Sequence, residues 1–395
     1  MKIVGGVYSE KCCVPEWDQV FGSGGRAAAA LSGLDPGIEL NTYCSLELQP
    51  EAAINLGVFN FTLVQHHCDR DYEFSYFHSL SKPQFFTSQY EGVAPSKLEI
   101  EDDVVLRFGL MYGEIAVLAN RAVYDPQSTG RPVLFNENGS AANSLAYVLN
   151  RAELWRYSPE EEIEAAAREL MKQEKVDVVV VKCGISGAQV ITAGSVKLVP
   201  SYRTERVFKI GSGDIFSAAF TYYWGVLRLD PETAADAASR SVAWYCDTRT
   251  LPLPPLAELQ HLKAAPMGHA GPIYIAAPFF ATGQRWLVEE TRTLLLEMGA
   301  EVFSPLHEVG TGSAREVASA DLEGLHMCTA ILALADGCDL GSIFEIGYAR
   351  SLGTPVVALC ETLPKYQLTM MEGTGCEIVK DFSSAICRAY WASIR

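Results

Sequence analysis

The chain has 395 residues, 49% of them hydrophobic and 20% charged, and 48 acidic against 31 basic side chains give a formal net charge of −17. That length divides into two domains or one large one, with the composition of a globular protein that buries sizeable cores. The acidic balance and the lack of a basic cluster argue against nucleic acid or an anionic membrane surface as partner, and no apolar run approaches the roughly 20 residues of a spanning helix.

Along the chain, Lys2 to Val7 reads as a strand and glycine turn rather than a signal peptide. The eleven cysteines are odd in number, scattered and without a CxxC pair, which suits the reduced thiols of a cytoplasmic protein. Phe21-Gly22-Ser23-Gly24-Gly25-Arg26, followed by four alanines and Leu31, reads as a glycine turn and a helix. Between about residues 38 and 100 the pattern shifts to short aromatic-rich segments, Phe59–Leu63 and Tyr72–Phe77, which read as strands. His66-His67-Cys68 could hold a metal, but three adjacent residues rarely converge on one ion, so a packing role is the better reading. Val123–Gln127 is a strand end, and Val178–Val181 a buried strand running through Lys182 and Cys183 to Gly184.

Gly211-Ser212-Gly213-Asp214 opens the apolar run Ile215–Phe220. Glycines let several backbone N–H groups point at one spot, and the positive end of the following helix points there too. Asp214 is badly placed if its job were to bind that anion. It is well placed to take a proton from a hydroxyl attacking a phosphoryl group held there.

Leu251-Pro252-Leu253-Pro254-Pro255 and the stretch to Gly271 read as a linker, residues 251–271. A new α/β pattern follows, with strands at Ile273–Phe280, Glu301–Pro305, Ala330–Leu334 and Pro355–Leu359, and a helix from Trp286 to Met298 stopped by Gly299. Asp336, Asp339 and Glu345 gather where the third strand ends, with Glu345 opening a helix over Ile343–Leu352 and Asp321 near the start of the preceding one. Open parallel sheets place ligands beyond the carboxyl ends of their strands. Several acids there suit glycosyl chemistry, one attacking the anomeric carbon and another protonating the leaving group. On composition alone, helix-start acids placed by the dipole are the better reading.

The order of these pieces resembles two known families. Residues 1–250 resemble the ribokinase-like (PfkB) sugar and nucleoside kinases through the 21–31 turn and helix, Asp125-Pro126, the Asn-x-x-Glu of Asn150 to Glu153, and the 211–214 turn. The resemblance implies an α/β/α domain with a β lid at about 38–100. It further implies Gly24 and Gly25 on the sugar, Gly211, Ser212 and Gly213 on the anion, Asp214 as base, Asn150 and Glu153 near Mg²⁺, and ATP as donor. Val207-Phe208-Lys209-Ile210 departs from the family pattern, and the early sugar-binding aspartate has no clear match, with Glu10 and Asp18 as candidates.

Residues 272–395 resemble the nucleoside 2-deoxyribosyltransferases through Asp321-Leu322-Glu323-Gly324-Leu325 and the run from Asp339 to Ala349. This implies a smaller flavodoxin-like parallel α/β domain. Glu345 would be nucleophile, Asp321 would handle the proton of the leaving base, Asp339 would hold the sugar near its 5′ end, and Tyr274 would orient the nucleophile. Gln284, Gly341 and Ser342 join the substrate site. Relatives complete it with a neighbouring subunit's residue, commonly an Asn, where this chain has Gln367, so a homo-oligomer is implied. Together the resemblances imply a bifunctional cytoplasmic enzyme of nucleoside metabolism, acting on small-molecule nucleosides and sugars. The alternative is a nucleoside or nucleotide sensor controlling a nucleoside-depleting glycosidase.

Overall fold

The computed structural model describes residues 1–87, 95–127 and 133–394. The chain forms two compact units, Met1–Thr204 with Phe208–Ala264, and Glu205–Val207 with Ala265–Arg395.

The first unit is built on a nine-stranded sheet. From one edge its strands are Val196–Val199, Ala188–Thr192, Val178–Lys182, Ala141–Asn150, Ile115–Asp125, Leu98–Phe108, Lys2–Val4, Glu39–Cys44 and Thr62–His67. The pairs at the first edge are antiparallel; every pair from Val178–Lys182 onward is parallel. Successive side chains leave a strand on opposite faces. Leu106, Val123, Val148 and Val180 enter one core, with the helices Gly22–Leu31, Ser212–Phe220 and Pro231–Thr248. Val105, Ala122, Leu149, Val179 and Val181 enter the other, with Ala166, Ala167 and Leu170 of the helix Ile163–Gln173. Burial on both faces is why Val178–Val181 reads as an unbroken apolar run. Parallel strands also end on one side, and Asp125, Asn150 and Lys182 are the last residues of three neighbours.

A separate four-stranded sheet pairs Trp17–Val20, Ser9–Val14, Tyr72–His78 and Gln84–Thr87. This corrects the expected lid. Half of the small sheet comes from residues before 38, while Glu39–Cys44 and Thr62–His67 belong to the large sheet. Part of the 38–100 segment, residues 88–94, lies outside the described residues. The His66-His67-Cys68 side chains go to separate partners: His66 to Asn41, His67 to Asp69, and Cys68 to the Arg70 carbonyl.

The second unit holds five parallel strands in the order Val302–Phe303, Ile273–Ala276, Ala330–Leu334, Val356–Leu359, Glu377–Val379. This is the 2-1-3-4-5 order of a flavodoxin-like sheet. Tyr274, Ile331, Ala333, Val356 and Ala358 share its core with Ile346 and Ala349. Gly299, at φ +88°, follows the helix Thr282–Glu297 in the left-handed conformation that ends helices. Both units are α/β, as the sequence leads one to expect. Among the described residues no helix is long and apolar enough to cross a membrane.

Candidate active sites

In the first unit the 211–214 turn lies against a buried charge cluster. Gly211 caps the 212–220 helix with φ +77°, and any side chain there would collide with Arg26. Arg26 is fully buried in an otherwise small and apolar helix. Such a guanidinium must be paired. It meets Glu10, 2% exposed, through two nitrogens, reaches Asp214 Oδ2 at 2.8 Å, and donates from Nε to the Tyr245 hydroxyl at 3.2 Å. Gln127 Nε2 donates to the other Asp214 oxygen, Oδ1, at 2.6 Å. Burial pulls the Arg26 pKa down, but Glu10, Tyr245 and Asp214 hold it well above the ordinary arginine value. Tyr76 of the small sheet and Tyr8 just before it face this cluster: burial and the negative charge of Glu10 and Asp214 raise the pKa of both hydroxyls.

The turn is narrower as an anion hole than its sequence suggests. Ser212 N–H is spent on the Lys209 carbonyl at 3.0 Å, and Ile215 N–H on that of Gly211. Gly213 and Asp214 occupy the helix positions whose N–H groups have no intrahelical acceptor. Beside them stands Lys182, the last residue of the strand Val178–Lys182. A side chain on Gly213 would begin 3.6 Å from its Nζ. Lys182 is paired with Asp125 Oδ2 at 2.6 Å, and Ser217 donates to the same oxygen at 2.6 Å. Burial raises the Asp125 pKa and Lys182 pulls it back.

Gly24 and Gly25 lie inside the 22–31 helix rather than in a turn before it; the left-handed residue is Gly22, at φ +64°. A side chain at Gly24 would meet the Gly5 backbone at 2.8 Å, so this glycine lets the helix touch the turn just after the first strand. Asn150 and Glu153 form a capping box. Asn150 Oδ1 accepts from Glu153 N–H, and Glu153 Oε2 accepts from Asn150 N–H. Their oxygens serve the backbone, and among the described residues no three His, Cys, Asp or Glu side chains converge as a metal site. The capping box engages Asn150 Oδ1 and one of the two Glu153 carboxylate oxygens, Oε2.

In the second unit Tyr274, on the strand Ile273–Ala276, donates its hydroxyl to Glu345 Oε1 at 2.8 Å. The helix carrying Glu345 is Leu340–Ser351 with Asp339 as cap, so Glu345 lies in its second turn and not at its start. The dipole has largely faded there. Burial pushes the Glu345 pKa up to about 7; the Tyr274 hydrogen bond pulls down, and Asp321 and Asp339 push further up. Asp321 sits in the middle of the helix Ala314–Met327 rather than near its start. Its Oδ1 is buried with no partner, and burial raises its pKa. The structure brings Tyr274, Glu345, Asp321 and Asp339 into one electrostatic group.

The remaining acids and amides have local duties. Asp339 Oδ2 accepts from Ser342 N–H at 2.9 Å and from its hydroxyl at 3.0 Å, so Ser342 faces Asp339. Gly341 is exposed beside them, and a Cβ there would lie 3.1 Å from Asp339 Oδ2, closer than an ordinary contact. Asp336 pins the loop after the fourth strand through the N–H groups of Glu361, Thr362 and Leu363. Gln284 closes its own helix start by accepting from Phe280 and Ala281 N–H. Gln367 accepts from Cys338 Sγ at 3.7 Å.

No curated protein matches the chain. Solved structures of the ribokinase family align with about two thirds of it. A ribokinase from Thermotoga maritima is 15% identical at TM-score 0.41, covering 66% of this chain and 97% of its own. A nucleoside kinase from Methanocaldococcus jannaschii is 15% identical at TM-score 0.45, covering 65% and 96%. A pyrophosphate-dependent kinase of that family is 14% identical at TM-score 0.48, covering 66% and 99%. Residues 273–382 match the family model described as nucleoside 2-deoxyribosyltransferase, and the second unit carries that domain.

Proposed function

We propose that the second unit cleaves or transfers the N-glycosidic bond of a nucleoside through Glu345. The observation carrying this reading is the Tyr274–Glu345 hydrogen bond beside the half-buried, unpartnered Asp321. Glu345 attacks the anomeric carbon from the oxygen that Tyr274 does not hold. The bond to the base breaks, and its electron pair leaves with the base. Asp321, kept protonated more readily by burial, supplies the proton. Water or a second base then releases the sugar from Glu345.

A nucleophile must be ionised, so the raised Glu345 pKa sets a pH dependence. As pH falls through about 7 the carboxylate takes up a proton and base release fades. The expected kcat/KM profile therefore has its acid limb near pH 7. Tyr274→Phe removes the bond that lowers this pKa and moves the limb upward. A wild-type limb at the ordinary glutamate value contradicts the assignment.

The domains we propose are a kinase over 1–250, a linker over 251–271 and a transferase over 272–395. In the first, ATP with Mg²⁺ is the donor. The Gly213 and Asp214 N–H groups and Lys182 receive the transferred phosphate, and Asp214 accepts the hydroxyl proton of a sugar or nucleoside. The sensor alternative draws on Val207-Phe208-Lys209-Ile210, which departs from the kinase pattern just before the glycine turn. Product analysis after incubation with nucleosides and pentoses, with and without ATP, separates them: phosphorylated product supports the kinase, and base release alone supports the sensor.

The second unit is expected to prefer free nucleosides over their 5′-monophosphates. Asp339, placed near the sugar's 5′ end, accepts hydrogen bonds and repels phosphate, and the Ser342 hydroxyl is already turned to it. Arg285 donates its Nε to the Phe279 carbonyl. Parallel rates of base release from a nucleoside and its monophosphate test this; faster release from the monophosphate overturns it and places phosphorylation first.

A further inference from the structure

We propose that Gln127 holds the place of the acceptor hydroxyl on Asp214, and that an acceptor enters by displacing this amide. The proposal rests on the kinase reading of the first unit. Asp214 has one oxygen on Arg26 and the other on Gln127, so each oxygen already faces an N–H donor. The two donors differ in how readily they can leave. Arg26 is fully buried and shared with Glu10 and Tyr245; withdrawing it strands two buried carboxylates. Gln127 is neutral and half-buried, and an amide gives up its bond at far lower cost. Oδ1 is therefore the oxygen that can turn to a substrate.

The backbone points the same way. Gln127 has φ +41°, in the left-handed region that side chains other than glycine rarely adopt. The residues before it are fixed. The Asp125 carbonyl accepts from Gly109 N–H at 2.8 Å, its carboxylate is held by Lys182 and Ser217, and Gly109 packs directly on Pro126. The Gln127 side chain can swing away while Asp125 and Lys182 stay by the phosphate-binding turn. A hydroxyl in its place donates to Oδ1, the arrangement needed for proton transfer. Its O–H bond breaks as the new O–P bond forms. The proton passes to Oδ1, and the electron pair of the broken P–O bond leaves with the donor. Gln127 touches Asp214 and not the reacting atoms, so it is a positioning residue.

The test compares wild type with Gln127→Met, which keeps the length and loses the donor. Calorimetry measures binding of D-ribose and of adenosine, and initial rates with ATP give kcat and KM. The Met variant is expected to bind the acceptor about tenfold more tightly, with KM lower by the same factor and kcat no lower, since a competing charge-assisted hydrogen bond is gone. A merely structural residue would lower kcat and Tm together. Equal or weaker binding by the variant overturns the proposal, as does the absence of binding of either probe to both proteins. Should the Met variant fold poorly, Gln127→Asn, too short to reach Asp214, must give the same direction. Asp214→Asn assayed in parallel keeps the two readings apart. An undiminished rate there removes Asp214 as base, while the calorimetric comparison still decides whether Gln127 competes.

Discussion

Replacing Glu345 with alanine is expected to reduce base release by at least about 10³-fold, the scale of losing a covalent nucleophile. The loss falls in kcat, because the nucleoside is held by other groups and only bond formation is removed. Any phosphoryl transfer by the first unit continues at the wild-type rate. Glu345→Gln separates chemistry from packing. It keeps a carbonyl to accept from Tyr274 and cannot attack. Stability gives a second, independent readout. The folded-state pKa of Glu345 lies above the unfolded value of 4.5, at about 7. The folded protein thus holds an extra proton in that window, and stability falls as pH rises through it. The Gln variant cannot ionise, so its Tm should be flatter with pH over the same window. Base release at the wild-type rate from either variant removes Glu345 from the mechanism. Loss of both activities together points instead to misfolding.

The parts of this molecule legible in its sequence are those with a local cause. Val178–Val181 announced a strand buried on both faces, Gly299 a helix end, and the 211–214 turn a helix start. What stayed hidden depends on contacts far apart in the chain. Arg26 meets Asp214 across 188 positions, Gln127 meets Asp214 across 87, and Lys182 meets Asp125 across 57. One signal was available. Arg26 is the lone charge in a helix of glycine, serine, alanine and leucine, and a charge on so apolar an element needs an acidic partner. Glu10 was among the candidates for the sugar site, and the structure gives it to Arg26. The small sheet was misplaced because Ser9–Val14 has no strong alternation, and it pairs with Tyr72–His78 more than sixty residues on. Glu345 was read at a helix start because Asp339 reads as one more acid of the loop. Its capping bond to Ser342 begins the helix earlier, and that shift moves Glu345 from a dipole-stabilised position into a half-buried one.

Replacing Asp214 with asparagine is expected to slow phosphoryl transfer by about 10²- to 10⁴-fold, the usual contribution of a positioned general base. Asparagine is the informative choice because of Arg26. Its carbonyl oxygen can still accept from Arg26 Nη1, so the buried guanidinium keeps Glu10, Tyr245 and one further partner. Alanine would withdraw that partner and add an unpaired buried donor to the loss of the base. Donor binding should survive in the Asn variant, since it draws on main-chain N–H groups and on Lys182 rather than on the carboxylate. The signature is a fall in kcat with nucleotide affinity unchanged by calorimetry and base release by the second unit unchanged. A transfer rate equal to wild type shows that the first unit does not use Asp214 as base. If the wild type itself yields no phosphorylated product from any pentose or nucleoside, yet binds one of them, the 211–214 turn and its charge cluster serve recognition, and the sensor reading takes the place of the kinase.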